Sequence, residues 1–373
     1  VLAAVAAVWG VWAIAAIGRG DVDELPLVGR VFLEQGVGES AAIDALEATR
    51  SGGYDGQFFL FIALDPWRAE AYLDEPAYRY ARILYPLVAR AAAGGDADAI
   101  PWTLLGLNLV AVLGGTYALA RLVARSGASP WYAALFAFAP GLYFAVSRDL
   151  AEPLAYALVA AALLAFGRDR RRLLACAVLF ALAGLARETT LVFPLAYALA
   201  LALGLHDRPG SPRTRDWRAA ALIAGIAVVP YVLLRVGLRA WLGEWQSSRE
   251  PRLDTIPFRG ILGAWPLDRV ELEQIYSVVL PSLAALAVVA VAVHRAGPRS
   301  TALAANVLGL VVLLPAASYA EILASGRIAL GVTVAFVACL PLLPARDRAW
   351  MALVPALLWL SPWYWYFPTA FGR

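Results

Sequence analysis

Residues 101–120, PWTLLGLNLVAVLGGTYALA, run for twenty positions without a charged side chain. That matches the ~20 predominantly apolar residues an α-helix needs to cross the hydrocarbon core of a bilayer. Similar apolar windows, separated by Gly, Pro and Arg, recur along the chain with centres near Trp9, Leu109, Phe138, Leu158, Val178, Ala196, Val229, Ala285, Leu310, Ala335 and Leu357. The expected fold is therefore all-α, a polytopic transmembrane helical bundle of about eleven spans. Outer-membrane barrels show short alternating segments instead. Composition agrees: 61% of the 373 residues are hydrophobic and 16% charged, with mean hydropathy +0.68, well above the ~45–50% apolar content of soluble domains.

Two polar stretches interrupt the pattern, residues 18–100 and 244–274. Without internal repeats or low-complexity linkers, residues 1–373 read as a single transmembrane domain with these two loops attached. The first 17 residues resemble a signal-peptide core, but no small-residue cleavage site precedes Gly18–Asp23, so the first helix is read as retained. All 31 basic residues are arginine, as in a GC-rich genome. A net charge of +3 is too small to argue for nucleic acid. Cys176 and Cys339 lie in separate apolar spans, where cysteine acts as a small hydrophobe. His206 and His294 fall in loops of the basic set, so no histidine metal site is expected on the other face.

Arginine is distributed unevenly between alternate loops. Arg121 and Arg125, then Arg168, Arg170, Arg171 and Arg172, then Arg208, Arg213, Arg215 and Arg218, then Arg295 and Arg299, and finally Arg346 and Arg348 share one side. Cytoplasmic loops retain positive charge, so the N-terminus is expected inside and the C-terminus outside. Asp149, Glu152, Glu188, Glu321 and both long loops then gather on the extracytoplasmic side.

The first loop holds Gly52-Gly53-Tyr54-Asp55-Gly56-Gln57-Phe58-Phe59-Leu60-Phe61, ending at Asp65-Pro66. Asp55 stands at the start of an apolar run too short to span, expected to lie as a helix in the membrane interface. Helix cap and chemically active acid are both open roles for it, and compatible. Farther along, Tyr78-Arg79-Tyr80-Ala81-Arg82-Ile83-Leu84-Tyr85-Pro86 puts Arg79 and Arg82 three apart, on one helical face able to hold a phosphate or to snorkel to the interface. In Ser147-Arg148-Asp149-Leu150-Ala151-Glu152-Pro153, the two acids share a face if helical, and need solvent, a cation or Arg148 beside them. Arg187-Glu188-Thr189, Arg235, Arg239 and Arg327 complete the rim. Trp363-Tyr364-Trp365-Tyr366 reads as an aromatic belt.

An inner N-terminus, one helix, a long outer loop bearing an exposed Asp, and a bundle with acids at its outer rim together resemble the GT-C superfamily of polyprenyl-phosphate-sugar-dependent glycosyltransferases. Tyr54-Asp55-Gly56-Gln57, Asp65-Pro66, Arg79 to Pro86, Asp149…Glu152-Pro153 and Leu185-Ala186-Arg187-Glu188-Thr189 are similar to bacterial membrane proteins of cell-surface glycopolymer formation. The Asp-Gly-Gln form differs from the paired acids of many members.

The resemblance implies inverting sugar transfer from a polyprenyl-phosphate donor to a glycan, lipid or protein acceptor. Reaction would occur on the extracytoplasmic face of the bacterial cytoplasmic membrane. It maps the catalytic base onto Asp55, and phosphate stabilisation onto Arg187, Arg327 and Arg82. Gln57, Arg79, Tyr85, Asp149, Glu152 and Glu188 are further candidates for substrate contact. If a divalent cation takes part, Mg2+ or Mn2+, its ligands would be Asp149 and Glu152. The alternative from another class is a multi-pass transporter or flippase for a lipid-linked or small polar substrate, which would place ionisable groups at mid-membrane on broken helices.

Overall fold

Helices follow the apolar runs, and proline marks some of their breaks while Pro230 and Pro355 lie inside continuous helices. The computed structural model describes residues 1–18, 22–167, 169–205, 214–243, 245, 253–263, 267–293, 296–319 and 322–363. Expectations placed on Arg168, His206, Arg208, Arg213, Glu244, His294, Arg295, Glu321 and residues 364–366 lie outside these. Among the described residues every regular element is helical, with a single isolated bridge between Gly29 and Arg50.

Among the described residues, four helices are long and apolar enough to cross a membrane: Ile100–Ala124, Trp217–Leu242, Arg269–Ala292 and Ala324–Leu342. Leu2–Ile17, Glu152–Ala165, Glu188–Ala202 and Arg348–Leu360 are apolar but shorter. Trp217–Leu242 starts where the Asp216 carboxylate accepts the Ala219 N–H at 3.0 Å, an N-cap. On its outward side Val229, Val232, Leu233 and Val236 are all exposed. Their spacing makes one apolar stripe, a surface suited to lipid rather than water.

Not every expected span is a single helix. The window around Phe138 divides into Ala134–Ala137 and Pro140–Val146. Pro140 has no N–H and forces Ala139 into extended backbone, φ −61° and ψ 128°. Indoles serve the carbonyls beside the break: Trp9 Nε1 donates to Ala137 at 3.1 Å, and Trp363 Nε1 to Phe138 at 2.6 Å. Trp363, expected in an aromatic belt, instead packs inward against Tyr143, ring centroids 4.9 Å apart.

The bundle is a chain of helix pairs. Glu152–Ala165 packs between Ile100–Ala124 and Arg170–Ala186, which in turn packs on Trp217–Leu242. Val192–Ala202 joins Trp217–Leu242 to Pro298–Val307, and Pro298–Val307 meets Leu330–Cys339. Arg125 and Arg172 donate to the carbonyls of Leu164, Ala165 and Phe166 at 2.8–3.0 Å. Their charge complements the negative end of Glu152–Ala165. Glu152 stands at the opposite end of that helix, ~21 Å away at 1.5 Å per residue.

The first loop forms a second hydrophobic core. Helix Gly56–Leu64 is buried at all nine positions, against Val28, Ile43, Tyr72, Tyr85, Leu104 and Leu150 among others. The expected interfacial helix is thus an interior one, as befits a helix apolar all round. Each of its large side chains contributes about 1.5–3 kcal/mol by burial. Arg90 donates to the Ala63 and Leu64 carbonyls at 2.8 and 2.6 Å, capping its C-terminus. Tyr85 ties the lobe to the bundle by donating to the Leu104 carbonyl at 3.1 Å and accepting from Asn108 at 2.8 Å.

One close approach joins the two halves of the chain. Helix Ile322–Ile328 packs on Pro140–Val146, and a Cβ at Gly141 would sit 2.8 Å from the Arg327 amide nitrogen. Gly141→Ala is therefore expected to destabilise the protein by about 1–3 kcal/mol through overpacking. Gly114→Ala, where nothing lies within 4 Å, should leave stability equal or slightly raised. Thermal unfolding of both variants in lipid nanodiscs measures the difference.

Candidate functional site

Asp55 is fixed by its neighbours in sequence. The Tyr54 N–H donates to the Leu27 carbonyl at 2.9 Å, and the Gln57 carboxamide oxygen accepts the Gly29 N–H at 2.7 Å. Gly56 rests against the Arg148 carbonyl and Pro26 Cα, leaving no space for a Cβ. The Asp-Gly-Gln sequence thus wedges the start of helix Gly56–Leu64 between two other chain segments. Gln57, a candidate for substrate contact, is buried and spends its oxygen on this backbone link.

Asp55 occupies the N-cap position, yet its side chain makes no capping hydrogen bond. Oδ1 instead accepts from Arg79 Nη1 at 3.0 Å, and Oδ2 from Arg327 Nη2 at 3.4 Å. The side chain retains 28% of its exposure, enough for a second molecule to reach it. Of the two roles left open by the sequence, the cap is absent.

The neighbouring charges form a connected network. Arg79 grips Asp74 with two bonds of 2.8 Å. Arg327 reaches from Asp55 to Glu152 Oε1 at 3.3 Å, and Arg187 meets the same oxygen at 2.6 Å. Beside this chain Arg82 holds Glu188 in a bidentate pair, 2.9 and 2.7 Å, and also donates to the Tyr78 hydroxyl. Four guanidiniums thereby face the four carboxylates Asp55, Asp74, Glu152 and Glu188. Ring faces add to the grip: Arg79 lies 4.1 Å from the Phe58 centroid and Arg82 4.3 Å from that of Tyr78.

Burial alone would raise the pKa of Asp55, but Arg79 and Arg327 outweigh it and hold the carboxyl below its ordinary range. The same opposition, won by Arg82, brings Glu188 down to about 2. Both acids lend stability that is complete above the ordinary carboxylate range, near pH 4 to 4.5, and is lost as pH falls below it. Arg327 is the least committed cation. Its contacts to Asp55 and Glu152 are the longest in the network, whereas Arg79 and Arg82 each clasp one carboxylate with two bonds.

Asp149 and Glu152 do not share a helical face. Asp149 has φ +48° and ends helix Pro140–Val146, with Leu150 N–H donating to the Ala145 carbonyl at 2.9 Å. Glu152 begins the next helix. Asp149 is fully buried, and neither carboxyl oxygen has a hydrogen-bond partner; the Asn108 Oδ1 is unpartnered too. Burial drives the Asp149 pKa well above its usual value, only partly offset by Asn108 and Arg148. Of the Glu152 carboxylate, Oε1 serves two guanidiniums while Oε2, like both Asp149 oxygens, is buried without a hydrogen-bond partner. Among the described residues, no cluster of three or more His, Cys, Asp or Glu could hold a metal.

Tyr85 is buried and bonded within the fold, without a free hydroxyl. Arg235 donates to the Ala77 carbonyl at 3.0 Å, bracing the first loop, and Arg239 is exposed. Asp74 and Asn108 belong to the site or its support without having been singled out in sequence. Asn108 alone carried a signal, as the amide inside an otherwise apolar span. Comparison with protein-family models, curated proteins and solved structures finds no match.

Glu152→Ala is expected to cost about 3–5 kcal/mol, because it leaves Arg187 buried without its carboxylate. Asp149→Asn should do the opposite. An acid whose folded pKa is raised loses stability as pH climbs above its ordinary value, so the variant should be more stable than the parent at pH 8, with the gap closing toward pH 4. Unfolding midpoints across that range check both.

Proposed function

We propose that this chain is an inverting, GT-C-like glycosyltransferase held in a bacterial cytoplasmic membrane by about eleven spans. It takes a sugar from a polyprenyl-phosphate donor on the extracytoplasmic face and passes it to a glycan, lipid or protein acceptor in cell-surface glycopolymer assembly. The observation that carries this reading is the partly exposed Asp55 carboxylate, clasped by Arg79 and by the loosely shared Arg327.

A carboxylate so held is a weak base at rest. The donor's phosphate competes for the same guanidiniums, and a phosphate oxygen binding Arg327 would draw it away from Asp55. Losing one cation raises the carboxylate's basicity as the donor arrives. The acceptor O–H then gives its proton to Asp55 while its oxygen attacks the anomeric carbon on the face opposite the phosphate. The C–O bond to phosphate breaks, and its electron pair leaves with the polyprenyl phosphate, inverting the anomeric centre. Arg327 meets the negative charge gained there, with Arg187 behind it. Arg82, bidentate on Glu188, is less free to do so than the sequence alone implied.

The Asp55→Asn variant tests the assignment with purified chain in nanodiscs and a short-chain polyprenyl-phosphate sugar. Transfer should fall by about 10²–10⁴-fold while donor binding persists. Transfer at the parental rate would overturn the role of Asp55.

A further inference from the structure

Away from Asp55, the first loop and the end of helix Trp217–Leu242 border an open cavity of about 450 Å³. It is lined by Glu39, Trp67, Arg68, Glu70, Ala77 and Trp241, among others. Its size lies within the ~300–1,000 Å³ of small-molecule sites. The walls are fixed before anything binds. Trp241 meets Trp67 and Tyr80 edge to face, at centroid distances of 5.8 and 5.0 Å. The Tyr80 hydroxyl donates to the Pro66 carbonyl at 2.8 Å, and the Trp67 N–H to Asp65 at 3.3 Å. Arg68 donates to the Glu39 carbonyl at 3.2 Å, and Arg235 to that of Ala77 at 3.0 Å.

Two features need explanation. Trp67 is 77% exposed and Trp241 40%, so large apolar ring faces are presented to solvent on a rigid support. Beside them, Glu39 and Glu70 make no ion pair with another described residue. Indole faces offer contact for apolar C–H surface, and carboxylates accept hydrogen bonds from hydroxyl groups. A guanidinium supplies donors for hydroxyl and ring oxygens. A ligand with apolar C–H faces and hydroxyl edges satisfies all three. The two carboxylates disfavour an anion, and Arg68 disfavours a bulky cation, for which the cavity is also oversized.

We propose that this cavity is a binding site for a neutral saccharide, stacked on Trp67 and Trp241 and hydrogen-bonded by Glu39, Glu70 and Arg68. Ala77, in its wall, belongs to the short helix Pro76–Arg79, whose last residue clasps Asp55. That helix is ~6 Å long. An occupant thus adjoins the helix that clasps the base, and the saccharide held here would be the acceptor glycan. This last step rests on the glycosyl-transfer reading; saccharide binding itself does not.

The test is binding of the chain, residues 1–373, in nanodiscs to an array of neutral hexose and pentose oligosaccharides, with the affinity of hits followed by tryptophan fluorescence. The expected result is binding that weakens about tenfold or more in Trp67→Ala and in Glu70→Gln, and that survives in Asp55→Asn. Trp67 is so exposed that its replacement leaves the fold intact, which unchanged unfolding midpoints verify. Absence of binding to every saccharide, or preferential binding of tetramethylammonium, overturns the proposal. So does quenching of Trp67 fluorescence by brominated lipid, which would make the residue a membrane anchor. Loss of transfer in Asp55→Asn with no saccharide binding in the parent would sink this site alone. Saccharide binding with transfer unaffected in Asp55→Asn would sink the catalytic reading alone.

Discussion

The carboxylate of Asp55 carries its charge beside guanidiniums that lie 24 and 272 positions away in sequence. Charges withdrawn from water impose a large penalty unless an opposite charge stands within hydrogen-bond reach. The four acids, Asp55 among them, and the four arginines meet that condition only when the first loop, the turn at Arg187, the start of Glu152–Ala165 and the helix Ile322–Ile328 are all in place. One electrostatic requirement thus links segments that share no local sequence logic. Gly56 and Gly141 serve it by letting backbone come close where any side chain would hold the segments apart.

Neutralisation also shapes what the site can do. A network in which every charge were matched by two good bonds would be inert toward a visiting anion. Here the match is uneven. Arg79 and Arg82 are each engaged by a bidentate pair, while Arg327 divides itself between two carboxylates at longer range. On the proposed reading an incoming phosphate would meet the least resistance there, and the group released by that exchange would be the partly exposed Asp55. Asp149, by contrast, sits buried with no hydrogen-bond partner on either oxygen. Burial favours its neutral form, in contrast to Asp55, whose arginines hold it below the ordinary carboxylate range.

Much of this was legible in the residues. The apolar runs of residues 101–120 and of the Val229 region announced helices of membrane-crossing length, because length and hydropathy are local properties. The Asp-Gly-Gln motif and the arginines Arg79, Arg82, Arg187 and Arg327 were visible as unusual residues beside apolar runs. Their partners were not. Nothing in the spacing of Arg187 and Glu152, or of Arg82 and Glu188, says that they meet. The helix Gly56–Leu64 was misjudged for a related reason: an apolar surface reads the same whether lipid or protein covers it, and here protein does. Asp149 and Glu152 share a face only on an unbroken helix, and the left-handed turn at Asp149 separates them.

By itself, then, the chain's sequence determined that the protein is helical, that it carries membrane-length apolar segments, and which charged residues are out of place in such surroundings. Hydrophobicity and proline act over a few residues and need no knowledge of the rest. Only the tertiary structure decided that Asp55 is clasped rather than capping, which carboxylate each arginine neutralises, and that Trp67 and Trp241 border one cavity. Those outcomes depend on which distant segments come into contact, and a pairing energy that exists only at a few ångströms leaves no trace in the order of residues along the chain.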